Sequence, residues 1–416
     1  MQRWTKPLLA ATALAIAGAA SSADVEVMTQ NQYVGTDLIA LVTEPDFNTA
    51  VVDALKNRAE SLPAQRAKAL AALIAKRRPA LVGLQEVYGF TCLEFPAVAD
   101  GKGCDNPTIA GAFTDQLADT LAALGDDYVE AATVVDLDLP DGLTLPDGSP
   151  LPIALPGIPI TVDGMQIFLR VIDRDVILAR KGIPYEKVPY NAICPLPSDD
   201  GCNFQFVASA DLTVNVPNVG PVPVLVKFQR GFVGVDATVD TVPYRFVNTH
   251  LETRLEAFGE PGRYFQSAQA AELLQFMLVY LPPEPGRKLL LVGDMNSDPR
   301  DEVFPTVLPG YPPIVAVPPY QQYTALASFT DVWTKRPGAM TGKGAPLVGF
   351  SCCQAGDLLN QKSDLYERVD LILSLAPPKK VQEARLLGES ISDKTPPVGT
   401  GLWPSDHASV GARLQY

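Results

Sequence analysis

The chain has 416 residues, of which 47% are hydrophobic and 19% are charged, and its formal net charge is −14. This apolar content excludes a disordered or fibrous protein, and the length fits one large domain or about two smaller ones. The excess of 47 acidic over 33 basic residues argues against a protein held to nucleic acid or anionic lipid by bulk positive charge. It does not exclude a phosphodiester bound locally through metal ions. The chain has two histidines, so each can be considered in its own context.

The first 23 residues have the pattern of a secretory signal peptide. Arg3 and Lys6 precede an uncharged run of small and apolar residues over 7–20, and small residues suited to cleavage follow. A membrane anchor, which needs about 20 apolar residues, is the less favoured alternative. We therefore expect a secreted or periplasmic protein whose mature chain begins near Asp24 and has a formal charge of −16.

Segments of helical and strand periodicity alternate along the mature chain. Residues 63–78 and 266–281 carry apolar side chains at helical spacing and are followed by proline, so each is predicted to be a helix. Short apolar or alternating runs predict strands at 25–28, 80–84, 167–172, 176–179, 231–239, 244–249, 289–292, 369–374 and 408–414. Because no segment has the composition of a linker, we expect one α/β domain over 24–416 with two packed sheets.

Two Pro-rich segments interrupt this alternation, at 136–164 and 211–226. Each is too rich in proline for a central strand and too apolar for a disordered linker. The sequence leaves three alternatives open: edge hairpins, loops that face the substrate, or surface loops packed on their own side chains, of which the last is the commonest in proteins.

All six cysteines lie in the mature chain, and export to an oxidising compartment makes disulfides the expected state. Two plausible pairs close short loops: Cys92 with Cys104, and Cys194 with Cys202. The adjacent Cys352 and Cys353 either form a vicinal bridge or stay unpaired. A metal site at the cysteines is less favoured, because there is no C-x-x-C spacing and no histidine close in sequence.

Polar residues suited to metal binding or acid–base chemistry follow or flank one predicted strand after another. They are Asn31, Glu86, His250, Asp294, Asn296, Asp370, Asp406 and His407. Carboxylates and amide oxygens without a thiolate are typical ligands of Mg²⁺, Mn²⁺ or Ca²⁺ rather than of structural zinc. Any one of these residues alone is most simply a turn residue. Turn chemistry does not explain why both histidines fall within such clusters.

Seven segments together resemble a known family. They are Thr29-Gln-Asn31, Leu84-Gln-Glu86, Arg174-Asp-Val-Ile-Leu178, Val247-Asn-Thr-His-Leu-Glu252, Val292-Gly-Asp-Met-Asn-Ser297, Arg368-Val-Asp-Leu-Ile-Leu373 and Ser405-Asp-His407. In this order they are similar to the motifs of the endonuclease/exonuclease/phosphatase family, the Mg²⁺-dependent phosphoesterases that include pancreatic-type deoxyribonuclease and bacterial sphingomyelinases. The resemblance implies a four-layer α/β sandwich of two facing mixed sheets flanked by helices, with the active site at one end of the sheets.

The resemblance also implies a set of metal ligands and catalytic groups. Glu86 and Asn31 would be the principal metal ligands, with Asp406 on the metal or just outside it. Asp294 would orient or deprotonate the attacking water, and Asn296 would hold a phosphate oxygen.

The two histidines would contact the phosphate. His407 would be oriented by Asp370, and His250 would be a second phosphate contact and a possible proton donor to the leaving group. Asn248, close to His250, and Arg174, on a strand edge, are the candidates for substrate binding. The family's substrate-contacting tyrosine has no clear counterpart in the sequence.

These residues predict a secreted phosphoester hydrolase, most simply acting on phosphodiesters, that uses Mg²⁺ or else Mn²⁺ or Ca²⁺ and water in line. The substrate is left open between nucleic acid, a phospholipid head group and a smaller phosphoester. The Pro-rich apolar segments favour lipid weakly, and there is no basic stripe to favour nucleic acid. The alternative is a non-catalytic binding module on the same fold. We expect a monomer and infer no protein partner.

Overall fold

The structure is a computed structural model that describes residues 24–95, 103–254, 260–306, 314–338, 349–397 and 400–416. The predicted signal peptide at 1–23 lies outside the described residues. Within the described residues, no helix has both the length and the apolar character needed to cross a membrane.

The part of the chain that the structure describes contains six α-helices, and local sequence signals explain where the main ones begin. The second and fourth helices follow Asp46 and Asp115, whose carboxylates accept the first free backbone N–H groups, and the third begins with Pro63. The helices are α1 (Ala40–Thr43), α2 (Phe47–Glu60), α3 (Pro63–Arg77), α4 (Gln116–Leu124), α5 (Glu260–Gln275) and α6 (Pro319–Gln321). A π-helical turn, Phe276–Tyr280, continues α5, and another, Gln322–Leu326, continues α6.

The described residues also contain twenty strands. The first ten are β1 (Asp24–Asn31), β2 (Leu81–Gln85), β3 (Gly89–Glu94), β4 (Tyr128–Leu139), β5 (Ile158–Val162), β6 (Met165–Arg180), β7 (Tyr185–Lys187), β8 (Pro197–Ser198), β9 (Gly201–Asn203) and β10 (Ala208–Val216). The other ten are β11 (Gly220–Phe228), β12 (Gly231–Val239), β13 (Val242–His250), β14 (Lys288–Asp294), β15 (Phe304–Thr306), β16 (Ile314–Ala316), β17 (Thr330–Asp331), β18 (Asp370–Ser374), β19 (Lys380–Leu387) and β20 (Ser409–Gln415).

Most strands belong to two mixed eight-stranded sheets. The first sheet has the order β19-β20-β1-β2-β6-β3, and β4 and β5 also pair with β6. The second has the order β17-β18-β14-β13-β12-β9-β8, and β7 pairs with β12. At the centre of each sheet one adjacent pair is parallel, β1 with β2 and β13 with β14. Four of the predicted site residues lie at or just after the carboxyl ends of these strands: Asn31, Glu86, His250 and Asp294.

The two sheets face each other and each is covered by helices on its outer side. Buried side chains from both sheets form the inner core, among them Val27, Ile177, Phe246 and Val292. On the outside of the first sheet, α3 and α4 pack against Val82 and other strand residues. On the outside of the second, α5 and its π turn pack against the opposite faces of β13, β14 and β18. The fold is therefore the four-layer α/β sandwich that the resemblance implies, and this prediction is confirmed.

The predicted Pro-rich segments form ordered β-structure around a separate apolar cluster. The segment 136–164 contains the end of β4 and all of β5, and both strands pair with β6. The segment 211–226 lies in the antiparallel hairpin β10–β11, which forms its own two-stranded sheet. Side chains of both segments pack against α2 and β3 at one end of the sandwich. Both segments therefore contain β-strands at the periphery of the two large sheets.

Three disulfides link all six cysteines. Cys92 pairs with Cys104 across 12 residues, Cys194 pairs with Cys202 across 8, and Cys352 pairs with its neighbour Cys353. The two short-loop pairs expected from the sequence are confirmed, and the adjacent cysteines form the vicinal bridge.

Candidate active site

The parallel strands bring the predicted site residues together at one end of the sandwich. Asn31 ends β1, Glu86 follows β2, His250 ends β13 and Asp294 ends β14. His250 is directly opposite Asp294 in the parallel pairing, and Asp294 is directly opposite Asp370 in the antiparallel pairing with β18. Parallel neighbours place their carboxyl ends at the same sheet edge, which is why residues far apart in sequence meet here.

The loop before β20 carries Asp406 and His407 to the same edge. The Ser405 hydroxyl donates to the Asn31 carbonyl at 2.8 Å, and the His407 backbone N–H donates to the Ser405 oxygen at 3.1 Å. Arg66, fully buried in α3, donates to the carbonyls of Gln32 (2.8 Å) and Pro404 (3.2 Å). These contacts fix the end of β1 against the Ser-Asp-His loop.

Two residues of the site have backbones in the left-handed region. Glu86 has φ +52° and Asn296 has φ +46°, conformations that a residue with a side chain adopts only when its surroundings hold it there. Before Asn296, Gly293 has φ +140°, and a Cβ at this position would lie 1.9 Å from the Thr249 carbonyl oxygen. The Gly-Asp-x-Asn segment therefore needs its glycine for the close approach of β13 to β14.

Asn31 connects two carboxylates of the site. Its Nδ2 donates to Glu86 Oε1 at 3.0 Å and to Asp294 Oδ2 at 3.1 Å, and its Oδ1 accepts the Tyr33 N–H at 2.9 Å. Glu86 Oε2 accepts the Val34 N–H at 2.9 Å. Asn31 is completely buried and Glu86 is half-buried, so the pair lies at the boundary between the inner core and the open edge.

Asp406 is a half-buried acid beside other acids. Burial and the Glu86 carboxylate raise the pKa of Asp406 to about 7, although the nearby His407 and Arg66 lower it. Its hydrogen-bond contact to the Ser405 hydroxyl is long, at 3.4 Å. Burial is the largest cause of this raised pKa, so the ionised carboxylate is poorly solvated, and a bound cation would stabilise it.

His407 is held as a cation by three carboxylates. Its Nδ1 lies 2.8 Å from Asp370 Oδ2, and its Nε2 lies 3.8 Å from Asp294 Oδ2. Burial alone lowers the pKa of His407, but Asp370, Asp406 and Asp294 outweigh it and raise the pKa well above its usual value. Asp370 therefore orients the ring through Nδ1 and leaves the Nε2 proton facing Asp294.

His250 is held in the opposite protonation state. Its Nδ1 lies 2.9 Å from Arg230 Nη1, and because an arginine can only donate, Nδ1 accepts and the ring proton is on Nε2. Burial, Arg230 and His407 together lower the pKa of His250 well below its usual value. Its Nε2 lies 3.6 Å from Asp294 Oδ2 and 3.1 Å from the Asn296 amide nitrogen.

Asp294 stands between the two histidines. Burial is the largest cause of the raised pKa of Asp294; His407 opposes the shift and Asp370 adds to it. The distances from Asp294 Oδ2 to the two Nε2 atoms, 3.6 and 3.8 Å, are too long for direct hydrogen bonds. Asp294 therefore satisfies neither Nε2–H group; the Nε2 of His250 also contacts the Asn296 side-chain amide at 3.1 Å.

The two predicted substrate-binding residues have structural partners. Asn248 is fully buried: its Oδ1 accepts from Gln85 Nε2 at 2.6 Å, and its Nδ2 donates to the carbonyls of Leu84 (2.9 Å) and Val176 (3.2 Å). It thus joins β13 to β2 and β6 of the other sheet. Arg174 donates to the Val87 carbonyl at 3.1 Å and pairs with Asp115 at 2.7 Å.

Neither side chain is placed for substrate binding. Arg174 shares the face of β6 with Val176, which packs against the outer helices, whereas Ile177 on the other face belongs to the inner core. Arg174 therefore lies on the side of the sheet away from the histidines. Asn248 has no free hydrogen-bonding group. The substrate-binding roles assigned to these two residues from the sequence gain no support from the geometry.

The arginine next to the histidines is Arg230, which the sequence did not indicate. It precedes β12 in a loop without a motif, and it lies 3.8 Å from Asp173 and 3.9 Å from Glu252. The one signal for Arg230 in the sequence was indirect: its neighbour Glu252 belongs to the same motif segment as His250. Burial lowers the pKa of Arg230, but Glu252, Tyr88 and Asp173 outweigh it and raise the pKa. The guanidinium therefore remains charged beside His250.

The vicinal disulfide also borders the site, since Cys353 Sγ lies 4.0 Å from His407 Nε2. The sequence offered no histidine near these cysteines, because His407 approaches them only through the fold. Within the described residues, ligand atoms of Cys352, Cys353 and His407 lie within 4.8 Å of one another, as do those of Asp294, Asp370 and His407. The two aspartates of the second set offer hard oxygen ligands. The two sulfur atoms of the first set, in contrast, are bonded to each other in the disulfide.

Several solved structures are similar to the chain as a whole. Truncated TDP2 from Caenorhabditis elegans is 16% identical with a TM-score of 0.43, and the match covers 94% of this chain and 98% of that one. An endonuclease/exonuclease/phosphatase from Beutenbergia cavernae is 17% identical with a TM-score of 0.43, covering 94% and 72%. A mannosyl-6-phosphatase from Bacteroides thetaiotaomicron is 14% identical with a TM-score of 0.46, covering 94% and 100%. No family model and no curated protein matches the chain.

Proposed function

We propose that the protein is a divalent-metal-dependent hydrolase of phosphoesters, in particular phosphodiesters, as its resemblance to the endonuclease/exonuclease/phosphatase family implies. One observation carries the proposal. Asp294, a buried carboxylate with a raised pKa, lies between the Nε2 atoms of a cationic His407 and a neutral His250, at 3.8 and 3.6 Å. Two converging N–H donors beside a base are what an oxyanion and an attacking water require.

The residues fit a hard divalent cation such as Mg²⁺, Mn²⁺ or Ca²⁺. Glu86, Asn31 and Asp406 supply carboxylate and amide oxygens, and burial, the largest cause of the raised pKa of Asp406, leaves a carboxylate that a bound cation would stabilise. These three residues would hold the ion. When bound, it would neutralise charge on the phosphate and support the leaving oxygen.

The remaining residues would bind the phosphate and move protons. The Nε2–H groups of His407 and His250 would hold phosphate oxygens, and Asp294 would accept a proton from the attacking water. His407 has a proton to give to the leaving oxygen, because three carboxylates keep it charged. His250 would act as a neutral hydrogen-bond donor, since loss of its Nε2 proton would leave an imidazolate. His407 therefore takes the role of proton donor to the leaving group that the sequence suggested for His250.

The compartment is part of the same proposal. The three disulfides, Cys92–Cys104, Cys194–Cys202 and Cys352–Cys353, suit an oxidising environment. Together with the signal-peptide pattern of residues 1–23 they favour a secreted or periplasmic enzyme. We propose that it acts as a monomer with one catalytic domain over 24–416.

The test is hydrolysis of bis-p-nitrophenyl phosphate by the purified mature chain. We expect turnover that is abolished by a chelator and restored by adding Mg²⁺ or Mn²⁺. His407→Ala should lose most of this turnover and remain folded, whereas Asp211→Asn, which changes an exposed acid on β10, should behave as wild type. Turnover that is unchanged by chelation would contradict the metal-dependent mechanism. Metal binding without turnover of any phosphoester would instead favour the non-catalytic binding module.

A further inference from the structure

A cavity with almost entirely apolar walls lies beside the candidate site. It is lined by 18 side chains, and Tyr88 is the one among them with a polar group. The walls come from α1, α2 and their flanking residues, from strands of the first sheet and from the hairpin β10–β11. Seven lining residues belong to the two Pro-rich segments, so these segments form much of the cavity wall.

The apolar cavity continues into a second, partly charged one. The two share the side chains of Leu38, Tyr88, Leu137 and Phe228, and the second cavity is also lined by Asp173, Arg230 and Glu252. Arg230 Nη1 is 2.9 Å from His250 Nδ1. The partly charged cavity therefore reaches Arg230, the neighbour of His250, and its walls become apolar at Leu38 and Tyr88.

We propose that the apolar cavity binds one hydrocarbon chain of the substrate, so that the preferred substrates are amphiphilic phosphodiesters with an alkyl or acyl chain. This rests on the proposed function, because it assigns the phosphodiester of the same molecule to the two histidines. The order of the two cavities matches that of the two parts of an amphiphile. Its charged group would lie near Arg230 and His250, and its hydrocarbon chain would lie in the apolar cavity.

Other occupants fit these walls less well. A nucleobase, a sugar or a peptide would bring hydrogen-bonding groups into a space where, among the described residues, Tyr88 offers the one polar group, and each unpaired group would cost free energy. A hydrocarbon chain has no such groups and gains free energy with each methylene removed from water. The formal charge of −14 also disfavours a long polyanion.

The test compares two diesters that release the same nitrophenolate, butyl p-nitrophenyl phosphate and octyl p-nitrophenyl phosphate, both below their micellar concentrations. Burial of the additional methylenes should raise kcat/KM about 100-fold for the octyl ester, mainly through a lower KM. Equal kcat/KM values for the two esters would overturn the inference and leave the proposed function standing. If neither ester is hydrolysed, the proposed function itself fails.

Substitutions in the cavity wall test whether the hydrocarbon chain of the substrate binds there. Leu38→Trp, at the junction of the two cavities, and Leu212→Trp, in β10, should remove most of the octyl advantage, because each should lower kcat/KM for the octyl ester much more than for the butyl ester. Val219→Trp is the matched control, because Val219 is on the same hairpin but is 62% exposed. An octyl advantage that survives both cavity variants would overturn the assignment.

A binding measurement separates the cavity from catalysis. The fluorescence of cis-parinaric acid, a free hydrocarbon-chain probe, should report one-to-one binding to wild type and to Val219→Trp, and octyl p-nitrophenyl phosphate should displace it. No binding to folded wild type would show that this region is only a loosely packed core and would overturn the inference.

Discussion

Asp406→Asn should make the metal-free protein more stable at alkaline pH. The Asp406 carboxyl has a pKa of about 7 in the folded chain against an ordinary value of 3.8, because burial and the Glu86 carboxylate disfavour its charge. A carboxyl whose folded pKa is raised contributes most to the free energy of unfolding at low pH, where it is protonated in both the folded and the unfolded state. That contribution is lost as the pH rises from about 4 to about 7.

The size of the effect follows from the same values. The difference between 3.8 and about 7 corresponds to about 4 kcal/mol in the free energy of unfolding. Because Asp406 is only half-buried, solvent screens part of its interactions, and a gain of about 2 kcal/mol at pH 8 is the expected value. An amide cannot ionise, so the gain should disappear below pH 4.

The assay is urea unfolding followed by tryptophan fluorescence, with chelator present, at pH 4 and pH 8. Asp211→Asn is the matched control, because it removes an exposed carboxylate and should change the free energy of unfolding little at either pH. Adding Mg²⁺ should stabilise wild type at pH 8 and stabilise Asp406→Asn much less. If Asp406→Asn is less stable than wild type at pH 8, or if Mg²⁺ stabilises both equally, Asp406 does not belong to a cation site.

Three further predictions test the site and its supports. Asn248→Ala should lower the free energy of unfolding by about 3 kcal/mol in denaturant titrations, since three buried hydrogen bonds between the sheets are lost; unchanged stability with a raised KM would instead make it a substrate contact. Replacing both Cys92 and Cys104 by Ser should cost about 3 kcal/mol by the same titration, and an unchanged midpoint would refute this. Asp370→Asn should lower the pKa of His407, so the alkaline limb of the pH–rate profile should move to lower pH; an unmoved limb would exclude charged His407 as the acid.

The layers of the fold were predictable, but several of their strands were not. The inner strands β2, β13 and β14 are short buried runs that end in polar residues, which is a strong local signal. The strand β6 was predicted as two pieces, 167–172 and 176–179, because Asp173, Arg174 and Asp175 interrupt its apolar pattern. In the structure it is continuous: Asp173 and Asp175 are buried with little exposure, and burial raises the pKa of both.

The sequence predicted the site residues better than their partners. Asp294, His407 and Asp370 meet because β14 pairs with β18 in the second sheet and the loop before β20 of the facing sheet reaches the same end of the sandwich, and each residue lies in a recognisable local motif. Arg230 has no motif, and its position beside His250 depends on where the hairpin β10–β11 returns the chain to β12. Asn248 belongs to the His250 segment, and its use as a tie between the sheets is visible only once β2 and β6 are placed opposite it.

The measurement that tests the account most directly is the turnover of bis-p-nitrophenyl phosphate by Asp294→Asn saturated with Mg²⁺, with metal affinity determined by calorimetry on the same sample. Asp294 is assigned as the base between the two histidines, and the metal is assigned to Glu86, Asn31 and Asp406. The account predicts metal binding close to that of wild type and a rate lower by about 100- to 10,000-fold. A near wild-type rate with metal bound would contradict it.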